Sequence, residues 1–258
     1  MKIKDCFNVK NKILLNEGIT NTSFLIDNKY VFRDKKEIID PFNKPINEKK
    51  AISLLEQSTY VEKVIEYDET TGKKLSLYID KTTRISSHLS SNHIAGIVKI
   101  LKDLHSKGEV DFDFDPFERI NFYKAAVSEK INTQYEEAVL NSASQLYKKY
   151  PYVFCHNDLV KGNILLKDDD VYLLDFEFSG NNIELFDIAS FLSENDLDNE
   201  TKLTFLSYFP QYQKKDILVM IMFEDILWYY WGMYLYKITN KTIYLDIAKE
   251  KKSRINNI

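Results

Sequence analysis

Along the first third of the chain, apolar residues come in short runs broken by polar turns. Runs at 13–15, 23–27 and 29–33 predict β-strands. The polar segment 16–22 joins the first two, and Asp27-Asn28 predicts a tight turn before the third. Residues 47–57 predict a helix with Ala51, Leu54 and Leu55 on one face. Runs at 63–67 and 74–79 flank Thr71-Gly72 and predict a hairpin. Past Asp80 the pattern changes: Ile94, Ile97, Val98, Leu101 and Leu104 follow helical spacing, and Gly108 ends that helix. Pro116 opens another helix, 131–149 predict a third, and the aromatic-rich stretches 214–237 and 243–254 predict long helices near the end. The fold class is therefore α+β, with a small β-rich lobe over 1–79 and a larger, mainly helical lobe over 80–258.

Composition narrows the function. With 258 residues the chain can bury a full core, and 44% hydrophobic with 29% charged residues is ordinary for a soluble globular protein. A net charge of −4 gives no reason to expect nucleic acid or an acidic membrane surface as partner. Cys6 and Cys155 are the only cysteines, too few for a disulfide framework or a cysteine zinc site. No apolar run is long enough to span a bilayer, and residues 1–5 lack the apolar stretch of a signal peptide. A soluble cytoplasmic protein is expected, with oligomeric state left open. Glycine (7) and proline (5) are scarce, so no flexible linker is visible and the lobes must share a short ordered hinge.

The stretch 156–175 carries the chemistry: His-Asn-Asp-Leu-Val-Lys-Gly-Asn-Ile-Leu-Leu, then Val-Tyr-Leu-Leu-Asp. It sets Asp158, Asn163 and Asp175 beside the apolar runs 164–166 and 171–174. Phosphoryl transfer needs such a set: one carboxylate facing the acceptor hydroxyl, and an amide plus a second carboxylate holding magnesium on the ATP phosphates. Kinase catalytic loops space base and metal-binding Asn in this way, with a metal-binding Asp on the next strand. A plainer reading makes Asp158 and Asn163 turn formers, but loop, flanking strands and second Asp occur in the order a kinase requires. The two-lobed layout is that of the protein-kinase-like fold.

Other positions fit the same scheme. The loop 16–22 lies where kinases cover ATP; it has a single glycine, but backbone N–H groups with Thr20 and Asn21 could meet phosphate oxygens. Arg33 ends the third strand, where a kinase places its phosphate-binding cation, and Glu48 opens the next helix, where the partner carboxylate sits. Asp-Phe-Glu replaces Asp-Phe-Gly, no Ala-Pro-Glu follows, and Asn157 stands where protein kinases carry an Arg. A small-molecule acceptor therefore fits better than a protein. His88, His93 and His105 show no metal-ligand pattern, and His156 is expected to brace the catalytic loop.

Residues 156–166, Leu-Asp-Phe-Glu-Phe-Ser-Gly at 174–180 and Phe186-Asp187-Ile188-Ala189 resemble the choline/ethanolamine kinases, allied to the aminoglycoside phosphotransferases. Gly18-Ile19-Thr20-Asn21, Tyr30-Val31-Phe32-Arg33, Leu104-His105 and Asp115-Pro116-Phe117-Glu118-Arg119-Ile120 extend the resemblance over nearly the whole chain, which is similar to the compact bacterial members. The resemblance implies Asp158 as base, Asn163 and Asp175 as metal ligands, Arg33 and Glu48 as cation and carboxylate, and Asp187 as a buried brace. It implies ATP beneath the loop containing Gly18, Thr20 and Asn21, with a hinge at Tyr78 to Asp80.

The acceptor follows from the same likeness. Choline's trimethylammonium has no N–H to donate, so its site must use aromatic faces and carboxylates. Trp228 and Trp231 are one helical turn apart and share a face, which without the resemblance would read as core. The resemblance makes them a cage, with Glu177 and Glu194 supplying negative charge and Phe178 at the usual Tyr position. Direct in-line transfer from ATP to choline is expected. Ethanolamine, thiamine or an aminoglycoside is the alternative acceptor, and a non-catalytic pseudokinase the alternative class.

Overall fold

The early apolar runs pair into one antiparallel sheet. A computed structural model describes residues 1–9, 12–17 (backbone at 16 and 17), 21–35 and 40–256. A one-turn helix, α1 (Ile3–Cys6), precedes β1 (Lys12–Glu17), β2 (Asn21–Ile26) and β3 (Tyr30–Lys35); after α2 (Pro45–Leu54) come β4 (Val64–Tyr67) and β5 (Lys74–Leu77). Their order is β1-β2-β3-β5-β4. Asp27 and Asn28 turn β2 into β3 with φ of 52° and 51°, a conformation Asn and Asp tolerate better than most residues. Alternation then sorts β3: Phe32 enters a small core with Ile3, Cys6, Ile26 and Leu75, while Val31, Arg33 and Lys35 turn to the opposite face.

Helix α2 starts two residues earlier than the sequence predicts because Pro45 is pre-organised for a first turn. Its buried side carries Glu48 and Ala51; Leu54, expected on that face, is exposed, and Leu55 is buried just past the helix end. Beyond β5, residues 78–82 lead to β6 (Thr83–Arg84), which joins a second, three-stranded sheet.

The second part is mostly helical: α3 (Ser91–His105), α4 (Pro116–Ala126) and α5 (Thr133–Lys149). Ser90 caps α3 and Asp115 caps α4, each accepting a backbone N–H three residues on. Gly108, at φ 73°, redirects the chain after α3. Then come β7 (Tyr152–Cys155), β8 (Ile164–Lys167), β9 (Asp170–Leu173) and β10 (Gly180–Ile183). β6, β8 and β9 form one ladder, and β7 pairs with β10.

Four helices close the chain: α6 (Glu184–Ser193), α7 (Asn199–Ser207), α8 (Lys214–Thr239) and α9 (Thr242–Asn256). α8 is apolar over most of its surface because α4, α5, α6 and α9 all pack on it. Gly232 lets α9 approach: a Cβ there would sit 2.8 Å from the Tyr244 carbonyl oxygen. No helix among the described residues is long and apolar enough to cross a membrane.

Candidate active site

The catalytic loop runs from β7 to β8 and is held from below by α6. Asp187 is fully buried; its Oδ2 accepts from the His156 backbone N–H at 3.0 Å and its Oδ1 from that of Asn157 at 2.7 Å. His105 Nε2 lies 2.9 Å from the same carboxylate. Burial opposes the charged imidazolium, but hydrogen bonds to Asp187 and Glu184 outweigh it and hold the His105 pKa up at about 9. Cys155 lies within 4.8 Å of these groups, and burial pushes its thiol well above the usual range.

Two further residues shape the loop. Burial lowers the pKa of His156, so its ring is neutral. Its Nδ1 accepts from the Asp158 N–H at 3.3 Å, which puts the proton on Nε2, 3.0 Å from the Leu174 carbonyl. Asn157, at φ 65°, donates to the carbonyls of Phe178 and Gly180 at 3.1 and 3.3 Å. It thus ties the loop to the segment carrying Glu177 and Phe178.

Asp158, Asn163 and Asp175 converge. Asn163 Nδ2 donates to Asp158 Oδ2 at 2.7 Å, and the Leu174 N–H donates to the Asn163 carbonyl at 2.9 Å, which sets Asp175 beside them. Burial raises the Asp158 pKa well above the carboxylate range, with Asp175 and Glu177 adding to it. Burial, then Glu177, raise Asp175 to about 6, although Arg33 pulls the other way. Arg33 Nη1 donates to Asp175 at 2.8 Å, and Nη2 to Glu48 at 2.7 Å. Glu48 is buried; burial would raise its pKa, but Arg33 and Lys74 hold it down at about 2. Glu48 therefore positions Arg33 from behind.

Two cavities meet at this point. One, of about 280 Å³, lies between the first sheet and the β6–β8 ladder, lined by Leu15, Val31, Leu77, Tyr78, Ile79 and Leu165 among others. The other, of about 390 Å³, lies under α8 and α9 and takes in Asp158, Glu177, Phe178, Glu194, Trp228 and Trp231. Both are lined by Ser23, Arg33, Asn163 and Asp175.

Phe178, Trp228 and Trp231 stand edge to face around one corner, with centroids 5.4, 6.2 and 5.6 Å apart and interplanar angles of 90°, 72° and 87°. Trp231 Nε1 donates to buried Asp40 at 3.1 Å, and the Arg119 guanidinium lies 5.6 Å from the Phe178 ring. Two of the carboxylates lining this cavity have lysine partners: Lys35 Nζ is 2.7 Å from Glu177 Oε2, and Lys251 Nζ is 2.6 and 2.5 Å from the two oxygens of Glu194. Burial disfavours the Glu194 charge, but Lys251 and Arg254 outweigh it and keep the carboxyl below its ordinary pKa.

Some expected positions fall elsewhere. Gly18 and Thr20 lie outside the described residues. Asn21 lines the cavity under α8 rather than the one under the sheet. Tyr78 lines the cavity under the sheet, but Asp80 is a surface residue paired with Lys167 at 2.6 Å and does not. Sequence reasoning missed Lys35, Asp40 and Lys251. Period two on β3 puts Lys35 on the face of Arg33, and Lys251 lies on the α9 stripe of Tyr244, Ala248 and Ile255; both signals were there to read.

Residues 124–220 match the family model described as choline/ethanolamine kinase. Over that segment the chain is similar to the choline/ethanolamine kinases. It is 24% identical to protein LicA of Haemophilus influenzae over 186 residues, 64% of this chain and 69% of that protein. A LicA homologue of Mycoplasma capricolum is 23% identical over 233 residues, covering 84% and 88% of the two chains. The fold matches that of the choline kinase LicA from Streptococcus pneumoniae with a TM-score of 0.79, at 23% identity over 99% of this chain and 98% of that one. It is the protein-kinase-like fold.

Proposed function

We propose that this kinase transfers the γ-phosphoryl group of ATP to the hydroxyl of choline, giving phosphocholine and ADP. The observation that carries the reading is the junction: two cavities share Asn163, Asp175 and Arg33, with Asp158 on one side and a three-ring corner beyond it. The cavity under the sheet suits the nucleotide, with Val31 and Leu165 against the base and Arg33 towards the phosphates. The rings of Phe178, Trp228 and Trp231 suit a trimethylammonium group, which is held by aromatic faces.

Asp158 accepts the proton of the choline hydroxyl as that oxygen bonds to the γ-phosphorus and the bond to the ADP oxygen breaks. Asn163 donates to its carboxylate and holds it in place for that role. Asn163 and Asp175 offer hard oxygen donors at the junction, and Asn163 turns Nδ2 to Asp158, leaving Oδ1 for a cation. Magnesium held there would neutralise charge on the β- and γ-phosphate oxygens.

An ADP-release assay with choline, ethanolamine, thiamine and kanamycin tests the proposal. Magnesium-dependent turnover of choline is expected, falling on the order of 10²–10⁴-fold in Asp158→Ala. Undiminished turnover in that variant would remove Asp158 from the base role, and no turnover of choline would remove the substrate.

A further inference from the structure

The acceptor cavity has an acidic inventory but not an acidic floor. Glu177 and Glu194 flank the ring corner, and each faces a lysine with little solvent between them. The side chains of Lys35 and Glu177 are 3% and 6% exposed, and those of Lys251 and Glu194 are 3% and 12% exposed. The lysines arrive from opposite sides, Lys35 from β3 and Lys251 from α9. Arg254 adds a contact to Glu194 at 3.2 Å, while Asp225 stands 3.8 Å from Lys251 and 3.5 Å from Arg254.

A primary ammonium entering this corner must exchange strong hydration for hydrogen-bond acceptors, and burying it without them is costly. Glu177 and Glu194 already receive lysine N–H groups, while Asp175 and Glu250 receive arginine N–H groups and Asp158 that of Asn163. A quaternary ammonium has no N–H to satisfy and can be held by aromatic faces, which Trp228, Trp231 and Phe178 offer, without taking a hydrogen-bond acceptor from a lysine. We infer that Lys35 and Lys251 are specificity-determining residues, which occupy Glu177 and Glu194 and so select quaternary over primary ammonium acceptors. The inference rests on the choline reading and adds the physical origin of the preference.

The test is the ratio of kcat/KM for choline to that for ethanolamine in the wild type, Lys251→Gln and Lys35→Gln. Removing the lysine opens acceptor capacity on its carboxylate for the primary ammonium, so the ratio is expected to fall about tenfold in either variant, mainly through a lower KM for ethanolamine. An unchanged ratio in variants that still turn over choline overturns the inference and leaves the proposed function standing. A wild type inactive on both alcohols overturns the proposed function instead. Tryptophan fluorescence gives a reading without phosphoryl transfer: tetramethylammonium should quench the wild type at far lower concentration than methylammonium, and the variants should narrow that gap. Equal quenching by both ions in the wild type also overturns the inference. The two variants load different elements, so failure of one to fold leaves the other to decide.

Discussion

The cavity under the sheet and the cavity under α8 share Ser23, Arg33, Asn163 and Asp175, yet the rest of their walls differ in kind. The first is walled by strands and the segment after β5, with side chains such as Val31, Leu77 and Leu165 that any kinase-like sheet could supply. The second is walled by Glu177 and Phe178, by Glu194 just past α6, and by side chains from α8 and α9, set in place by buried ion pairs and by the Asp40 contact to Trp231. A ligand common to many enzymes can be held by backbone and generic apolar faces; one distinguished by its methyl groups needs particular rings at particular angles. The difference can be broken from the shared centre or from either side.

The centre gives the largest effect. Asp175→Ala removes a charge from both cavities at once, and kcat is expected to fall on the order of 10³-fold. Quenching of Trp228 and Trp231 by choline should survive, because the ring corner does not include Asp175. Loss of quenching together with turnover would mean that the cavities are not separable in this way.

Beneath both cavities lies the Asp187 brace, where His105 links the catalytic loop to pH. The His105 pKa is held up at about 9 against an ordinary 6.5, so its contribution is fully present below pH 6.5 and is lost as pH rises through 9. The difference corresponds to roughly 3 kcal/mol, about 10²-fold in the unfolding equilibrium. The melting temperature of the wild type should therefore drop between pH 6.5 and 9, and His105→Gln should start lower and stay flatter. Parallel profiles would assign the slope to other groups.

These effects bear on what the chain revealed before it folded. Asp158, Asn163 and Asp175 lie close along the chain, and loop spacing alone nearly fixes their mutual placement, so they were legible. Most strands and helices were legible for a similar reason, since period and turn residues are local. β10 was not: Gly-Asn-Asn-Ile has no alternation and is buried throughout, paired to β7. The Lys35–Glu177 and Lys251–Glu194 pairs join residues 142 and 57 positions apart, and only tertiary packing makes them partners. Glu177 and Glu194 were read as supplying negative charge, and their lysine partners went unseen.

On the acceptor side, Trp228→Ala removes one ring of the corner. Loss of a desolvated cation–π contact of about 2 kcal/mol corresponds to roughly 30-fold in kcat/KM for choline. KM for ATP should stay put, because Trp228 lines only the second of these two cavities. Ethanolamine, which depends less on the rings, should lose less. Equal losses for both alcohols would turn the ring corner back into plain core.

The nucleotide side should yield least to a single change. Leu165→Ala trims one apolar face of the cavity under the sheet and leaves Val31 in place on the other. The apolar area lost corresponds to roughly fivefold to tenfold in KM for ATP, since a nucleotide also draws on backbone and phosphate contacts that the change does not reach. KM for choline should not move, as Leu165 stands outside the acceptor cavity. A choline effect as large as that of Trp228→Ala would mean that the β8 ladder shapes the acceptor side too, and the division drawn between the two walls would then be in the wrong place.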